Sequence, residues 1–435
     1  MSTTVDLATW RPPQPQTIEE TGLRQGAVVQ MILKALHAAG DLTGLGLAER
    51  LGLPFSVLDS SLDALRAQQL CEIVGAATIG SPSYRYRITT LGRDRALAAF
   101  ADNAYSGVAP VPFAEYDEYL TRVFARAVQR RIAPAEVAAA LSHLVLSERV
   151  IKQLGPAMNS GQSIFLYGPP GNGKTAIATA LGNLLTGDIW IPHAIEIDGV
   201  IIQVFDPVHH EPRTVTTNSL DLEQDSYDRR WVRCQRPVVV VGAELTVEAL
   251  DLTFHGGACR PPVQWLANGG LLLIDDFGRQ RSTPRQLLNR WIHPLETGVD
   301  YLSLQSGRKI GVPFLVIPVF ATNIKPAELV DEAFLRRIPY KVLAQNPTPV
   351  EFAQIFENVC RDMGLDFDPS LVHHLWDSVL LPRGIALRGC QPRDLINQAL
   401  AQARYLDQPR QLTRSLLEEA CASYFVDQEQ GVSGR

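Results

Sequence analysis

An α/β fold is predicted: a parallel-sheet core with β-hairpin insertions, a helical C-terminal domain, and an N-terminal domain of helices and a small ribbon. Three observations predict it. The apolar run Ile164–Tyr167 enters a Gly-rich turn, Gly168–Thr175, and then the good helix former Ala176–Leu185. A second apolar run, Leu271–Ile274, ends in two carboxylates, Asp275 and Asp276, and such a continuous run suits a parallel strand buried on both faces. Ahead of both, residues 22–105 read as three helices followed by two short strands and a further helix.

The bulk properties narrow the class. A chain of 435 residues suggests roughly three domains, and its 20% charged and 46% hydrophobic residues are ordinary for a globular protein. A net charge of −6 with a pI near 5.9 argues against a dedicated nucleic-acid coat, though a local basic patch stays open. The six cysteines are scattered without a C-x-x-C, which reads as reduced thiols with neither a disulfide framework nor a zinc site. The N-terminus lacks a charged-then-apolar signal pattern, and no apolar run approaches the ~18 residues a membrane span needs. A soluble cytoplasmic protein with no membrane partner is expected.

Residues 1–21 are polar and proline-bearing, an expected flexible arm. From Gln25, Val28, Val29, Ile32, Leu33 and Leu36 recur at helical spacing and stop near Gly40. A short helix follows at Leu45–Leu51, then one opened by Pro54 with Leu58, Leu62 and Leu65 on one face. Cys71–Val74 and Tyr84–Ile88 read as strands joined by Gly75–Ser83, and Thr90–Phe100 as a last helix. The pattern over residues 22–105 resembles a winged helix-turn-helix module. The third helix offers Asp59, Ser60, Asp63, Arg66, Gln68 and Gln69, and two carboxylates against one arginine make a poor surface for phosphates. Arg85, Arg87, Arg93 and Arg95 are the groups that would touch a DNA backbone. Protein docking or regulation is the first reading and DNA binding the alternative.

Residues 106–133 form a linker with Gly107, Pro110 and Pro112, leading into a helix over Tyr116–Arg131. The core is assigned to residues 134–345. Its Gly168–Thr175 segment fits G-x-x-x-x-G-K-[ST] between a strand and a helix, the context that pattern requires. Gly168 and Gly173 admit backbone conformations that a side chain blocks. The expected phosphate loop is Gly168, Pro169, Pro170, Gly171, Asn172, Gly173, Lys174, Thr175 and Ala176, a nest of N–H donors at a helix N-terminus. Lys174 would reach the β- and γ-phosphates and Thr175 would ligate Mg²⁺. The helical segment Pro134–Leu154 is expected to pack over the base of the nucleotide.

Downstream, Ile189–Asp206 reads as a hairpin, with Ile195–Ile197 and Val200–Val204 joined by Asp198-Gly199. Val238–Val241 reads as a strand, and the loops near Asp221–Arg230 and His255–Pro262 as insertions of the kind that carry partner specificity. Asp275 is placed to hold Mg²⁺ through water beside Thr175, and Asp276 to polarise the attacking water. A strand over Phe314–Ala321 ends in Thr322-Asn323, where the Asn323 amide can orient that water or contact the γ-phosphate. Tyr301–Leu304 and Ile310–Val312 form an expected exposed hairpin. Arg336 and Arg337 close a helical stretch, where such pairs cap helices or bridge to acids, or project across a subunit boundary to a neighbour's γ-phosphate.

These motifs, in this order, resemble the AAA+ ATPases over roughly Pro134–Phe425. Gly168–Thr175 is similar to the family's Walker A, Ile274-Asp275-Asp276 to Walker B, Asn323 to sensor 1, and Arg336 and Arg337 to the arginine finger. Gln391-Pro392-Arg393-Asp394-Leu395 is similar to sensor 2, with Arg393 as the sensor. The resemblance implies a P-loop αβα core, a small α-helical lid at residues 346–425, ATP with Mg²⁺, and a homo-oligomeric ring. One departure stands out: Walker B usually ends Asp-Glu and here ends Asp-Asp, which bears on the rate of hydrolysis. In the lid, Phe352, Ile355, Phe356 and Val359, then Leu371, Leu375, Val379 and Leu380, then Leu395–Tyr405, form apolar stripes that read as core. The pairs His209-His210 and His373-His374 invite a metal, but neighbouring side chains on a regular element diverge. Residues 426–435 read as a frayed tail. The function implied is ATP-driven remodelling or assembly of a protein complex. The alternatives are a DNA-associated ATPase using the N-terminal domain, or a slow-turnover nucleotide switch.

Overall fold

A computed structural model describes residues 10–76, 80–214, 227–329 and 332–425. The first nine residues of the expected arm, the tail 426–435 and the insertion loop around Asp221 lie outside the described residues. The chain is a mixed α/β protein with a parallel sheet and a helical C-terminal region. It divides into two compact units, one of residues 1–130, 185–272 and 280–317, the other of 131–184, 273–279 and 318–435. No helix among the described residues is long and apolar enough to cross a membrane.

The first unit opens with helices Gln25–Ala39, Gly44–Leu51, Phe55–Ala67 and Thr90–Asp102. Thr43 and Thr89 start two of them by accepting the N–H of Gly46 and of Gly92, as N-cap hydroxyls do. The helical spacing puts Ile32, Leu36, Leu47, Leu58, Leu62 and Leu65 in one core with almost no exposure, each such side chain worth about 1.5–3 kcal/mol of burial. An antiparallel sheet in the order Asp41–Thr43, Tyr84–Ile88, Cys71–Ala76 completes this part. The sequence pattern shows only the last two of those strands, because three residues are too few to display a period.

The rest of this unit is a second core. Val111–Pro112, inside the expected linker, pairs in parallel with Ala194–Ile197. Ala194–Ile197 makes a hairpin with Val200–Gln203 through Asp198 at φ 52° and Gly199 at φ 83°, the left-handed pair that a primed turn needs. The hairpin is shorter than the expected Ile189–Asp206. Asp188–Pro192 pairs with Trp231–Gln235, far along the chain, supported by an Asp188–Arg233 ion pair of 2.7 Å. A strand buried on both faces carries no mark of its partner, so sequence assigned it to the nearest turn. Helix Phe113–Gln129 buries Tyr116, Tyr119 and Leu120 in this core. The hairpin Val299–Ser303/Lys309–Pro313 also belongs to it. Expected as exposed, it buries Leu302, Ile310 and Val312 on one face and exposes Tyr301 on the other.

The second unit holds the parallel strands beside the glycine loop. Ile164–Tyr167 lies between Ile317–Thr322 and Tyr340–Leu343, in register Thr322↔Tyr167 and Leu343↔Tyr167. The strand expected from Phe314 begins at Ile317. Helices Pro134–Ala140 and Glu148–Ser160 precede the sheet, and Lys174–Gly182 follows its first strand. The C-terminal helices Pro349–Asp362, Pro369–Leu375, Gln391–Tyr405 and Arg414–Tyr424 enclose Phe352, Phe356, Leu375, Leu395 and Leu417. Thr348 and Glu351 close a reciprocal capping box at the first of these helices.

Candidate phosphate-binding site

The site is assembled from the C-terminal ends of neighbouring strands in the second unit, where the sheet presents its turns. Gly168 has φ 142° and accepts no replacement: a Cβ there would lie 2.3 Å from Ala344 O. Its N–H donates to Thr322 O at 3.2 Å, tying the loop to the strand that carries Asn323. Gly171 and Gly173 also take positive φ, 81° and 70°, so the loop curls ahead of the helix at Lys174. The first turn of that helix leaves N–H groups without intrahelical acceptors, and its dipole favours an anion.

Lys174 is 8% exposed, and its Nζ donates to Gly168 O at 3.0 Å, Pro169 O at 2.9 Å and Asn323 Oδ1 at 2.6 Å. Burial pulls its pKa below the usual lysine value, offset in part by Asp276 and Asp275. Thr175 Oγ1 donates to Asp275 Oδ2 at 2.7 Å. Asp276 N–H donates to Asp275 Oδ1 at 3.0 Å, and Asn323 Nδ2 donates to Asp276 Oδ1 at 3.2 Å. The bonds therefore close a circuit from Lys174 through Asn323, Asp276 and Asp275 to Thr175, the neighbour of Lys174.

The acidic turn is held rigidly. Asp276 sits at φ 47°, a left-handed conformation that Asp tolerates better than most residues. Phe277 N–H donates to Ala321 O at 2.7 Å, and Thr322 Oγ1 donates to Phe277 O at 2.6 Å. The carboxylate of Asp276 is thereby fixed beside Asn323 while remaining exposed. A hydroxyl and a carboxylate oxygen in contact, Thr175 with Asp275, form a hard-oxygen pair of the kind that suits Mg²⁺.

The three arginines lie on other elements. Arg336 and Arg337 follow the short helix Glu332–Leu335; Arg336 is exposed, and Arg337 O accepts Ser163 Oγ at 3.2 Å. Arg393 is exposed on the first turn of Gln391–Tyr405. Neither Lys174 nor Asn323 has an arginine among its described partners.

Sequence reasoning missed what the loop touches on its other side. Asn172 Nδ2 donates to Asn346 Oδ1 at 2.8 Å, and its Oδ1 accepts Gly389 N–H at 3.1 Å. Cys390 N–H donates to Gly171 O at 2.8 Å. A cleft beside Asn172 is lined by Val145, Leu146, Val150, Asn346, Ile355 and Gly389 among others. Asn346 and Gly389 have no local signature, whereas Val145, Leu146 and Val150 lie in the segment Pro134–Leu154 that the sequence expects over the base.

Residues 348–423 match a protein family described as a domain of unknown function, DUF8689. No match to this chain is found among curated proteins. Among solved structures, the Thermotoga maritima RuvB Holliday junction branch migration motor is similar with 14% identity and a TM-score of 0.35, covering 73% of this chain and 72% of that one. A mutant form of the same RuvB aligns at 13% identity and a TM-score of 0.38, covering 65% and 70%. NtrX from Brucella abortus aligns at 16% identity and a TM-score of 0.38, covering 61% of this chain and about half, 51%, of that one.

Proposed function

We propose that this chain is an AAA+ ATPase that hydrolyses ATP and uses the cycle to remodel or assemble a protein complex. The observation that carries the reading is the closed circuit of Lys174, Asn323, Asp276, Asp275 and Thr175 at the mouth of the glycine loop. Lys174 exchanges the carbonyl oxygens of Gly168 and Pro169 for the β- and γ-phosphates. Asp276 and Asn323 orient a water in line with the γ-phosphorus and Asp276 accepts its proton; the new P–O bond forms as the bond to the β–γ bridging oxygen breaks, leaving ADP and phosphate. Mg²⁺, held by Thr175 and Asp275, supplies charge neutralisation on the phosphates when bound. The cleft beside Asn172, lined by Val145, Leu146 and Val150 among others, takes the base. Arg393 acts in cis, and Arg336 or Arg337 acts in trans within a homo-oligomeric ring.

The N-terminal helices and ribbon serve as a winged-helix-like docking domain for protein. That choice over DNA is supported by Asp41, which engages Arg85 at 2.8 Å and Arg87 at 3.4 Å, two of the arginines that a DNA backbone would need. Arg66 is similarly occupied by Asp63 at 3.1 Å.

The test is steady-state ATP hydrolysis across protein concentration for wild type, Lys174→Ala and Arg336→Ala/Arg337→Ala. Lys174→Ala is expected to lose about 10²–10³-fold, the usual consequence of removing one preorganised charge from a transition state. Wild-type specific activity is expected to rise with concentration while the double variant stays flat. A Lys174→Ala protein that hydrolyses at the wild-type rate overturns the ATPase reading; a concentration-independent wild type removes the ring.

A further inference from the structure

The phosphate loop is fastened on two sides, and only one side faces the chemistry. On the other, the Asn172 side chain is 9% exposed and uses both ends of its amide. The Nδ2 end reaches Asn346, three residues beyond the strand Tyr340–Leu343, where the chain enters the helical C-terminal region. The Oδ1 end accepts the N–H of Gly389, where the chain returns toward the loop just ahead of the helix Gln391–Tyr405. One side chain therefore holds the entry to and a return from the helical region, at positions separated from it by 174 and 217 residues.

The approach is close enough to specify small groups. A Cβ on Gly389 would lie 3.3 Å from Gly171 O, and a Cβ on Gly171 would lie 2.5 Å from Cys390 Sγ. Cys390 N–H adds its own bond to Gly171 O. Beyond this contact the connection is stiff: Gln391, 2% exposed, accepts Arg388 N–H with its Oε1 at 2.9 Å and donates to Ala386 O with its Nε2 at 3.0 Å. The segment 386–391 is thus a braced loop. Its hold on Asn172 sets where the helix begins, and Arg393 lies on the first turn of that helix.

We infer that Asn172 is a positioning residue: its side chain latches the phosphate loop to residues 346 and 389 and so holds the Arg393 helix in register with the nucleotide. The inference rests on the ATPase reading for its catalytic consequence, but the latch itself is a property of the nucleotide-free protein. Asn172 makes no contribution to chemistry through its amide; it acts through Arg393. A movement of the loop on phosphate binding is passed to that helix through the Gly389 side-chain bond and the Cys390 backbone bond, with the Asn346 bond holding the entry to the helical region, and a rearrangement of the helix is passed back.

Two measurements test this on the full chain. The first is hydrogen exchange in nucleotide-free wild type, Asn172→Ala and Asn346→Asp, reading the amides of Gly389 and Cys390. Asn172→Ala is expected to speed their exchange about tenfold, the scale of one or two lost hydrogen bonds. Asn346→Asp keeps an acceptor for Asn172 Nδ2 and is expected to exchange as wild type does. The second is ATP turnover with nucleotide affinity measured separately by a fluorescent ATP analogue. Asn172→Ala is expected to lower kcat about tenfold with affinity changed less than about threefold, and Asn172→Ala/Arg393→Ala is expected to be no slower than Arg393→Ala alone. Unchanged exchange in Asn172→Ala overturns the latch, and losses that multiply in the double variant overturn its action through Arg393. If exchange responds but wild type does not turn ATP over, the latch stands and the ATPase reading fails.

Discussion

The two units treat buried charge in opposite ways. In the first, Asp228 and Arg230 are almost fully buried and joined at 2.7 Å; Arg230 Nη1 also donates to Thr21 O and Pro110 O. Nearby in kind, Gln264 and Arg290 both donate to the buried Asp300. Asp228, Arg230, Gln264 and Asp300 are each at most 2% exposed, and the Arg230 guanidinium ends on protein acceptors. In the second unit the circuit through Lys174, Asn323, Asp276, Asp275 and Thr175 is equally complete, yet Thr175 and Asp276 remain exposed and Asp276 has a left-handed backbone. A polar network sealed on all sides holds a fold together. One that is open, strained and set at strand ends beside a helix N-terminus has room for a ligand to take over its bonds.

That contrast is broken most severely by opening the sealed network. Arg230→Met leaves Asp228 buried without its cation, and Asp228→Ala strands the guanidinium. Either is expected to cost about 3–5 kcal/mol in chemical denaturation, the usual penalty for an orphaned buried charge. The double variant Asp228→Leu/Arg230→Met is expected to recover much of that loss. A single variant within about 1 kcal/mol of wild type would show that water reaches the pair after all.

The open network is sharpened by Asp276. Replacing it with glycine removes the carboxylate from the site and relieves the φ of 47°. Hydrolysis is expected to fall about 100-fold, while stability holds or rises by up to about 1 kcal/mol. Activity and stability moving in opposite directions is the signature of strain retained for function. Joint loss of both would make the turn an ordinary structural one. Asp276→Glu restores the longer acid and, with Asn323 still within reach, is expected to retain or raise turnover.

How much of this was legible in sequence follows from where the information sits. The glycine loop is readable because its glycines, lysine and hydroxyl stand at fixed spacing in one stretch between an apolar strand and a helix. Thr175 and Asp275 are 100 residues apart, but Asp275 follows one apolar strand directly and Thr175 opens the helix after the loop of another, and parallel strands bring such ends together. The latch had no such signature, since Asn346 and Gly389 belong to no pattern and meet Asn172 only through the path of the helical region. Ile189–Pro192 reads as the start of the Ile189–Asp206 hairpin but pairs with Trp231–Gln235, because pairing is non-local. The Asp228–Arg230 pair was read only as part of an insertion loop, because nothing local in a charged passage distinguishes a sealed ion pair from a solvated one.

His210 marks the smallest effect and belongs to the sealed kind. Weighed with His209 as a metal pair, it is instead a core histidine, 1% exposed, stacked near Phe205. Its Nδ1 accepts Asp206 N–H at 3.0 Å and its Nε2–H donates to Leu266 O at 2.8 Å, which fixes the neutral tautomer: a proton on Nδ1 would face another donor. Burial pulls its pKa down, with His209 adding to the effect, and the Leu266 bond and Asp206 opposing it; burial lowers His193 in the same way. Both groups bind protons more weakly folded than unfolded, so their contribution is fully present above about pH 6.5 and is lost as pH falls through the depressed folded values. Urea denaturation between pH 8 and pH 5.5 is expected to show stability falling on the acid side, by at most about 1.4 kcal/mol per pH unit for each histidine. His210→Gln keeps an acceptor for Asp206 N–H and a donor for Leu266 O without the titration, so the difference between variant and wild type isolates this residue from the carboxylates. That difference should shrink as the pH is lowered; a constant difference across the range would mean that His210 reaches solvent and titrates alike in both states.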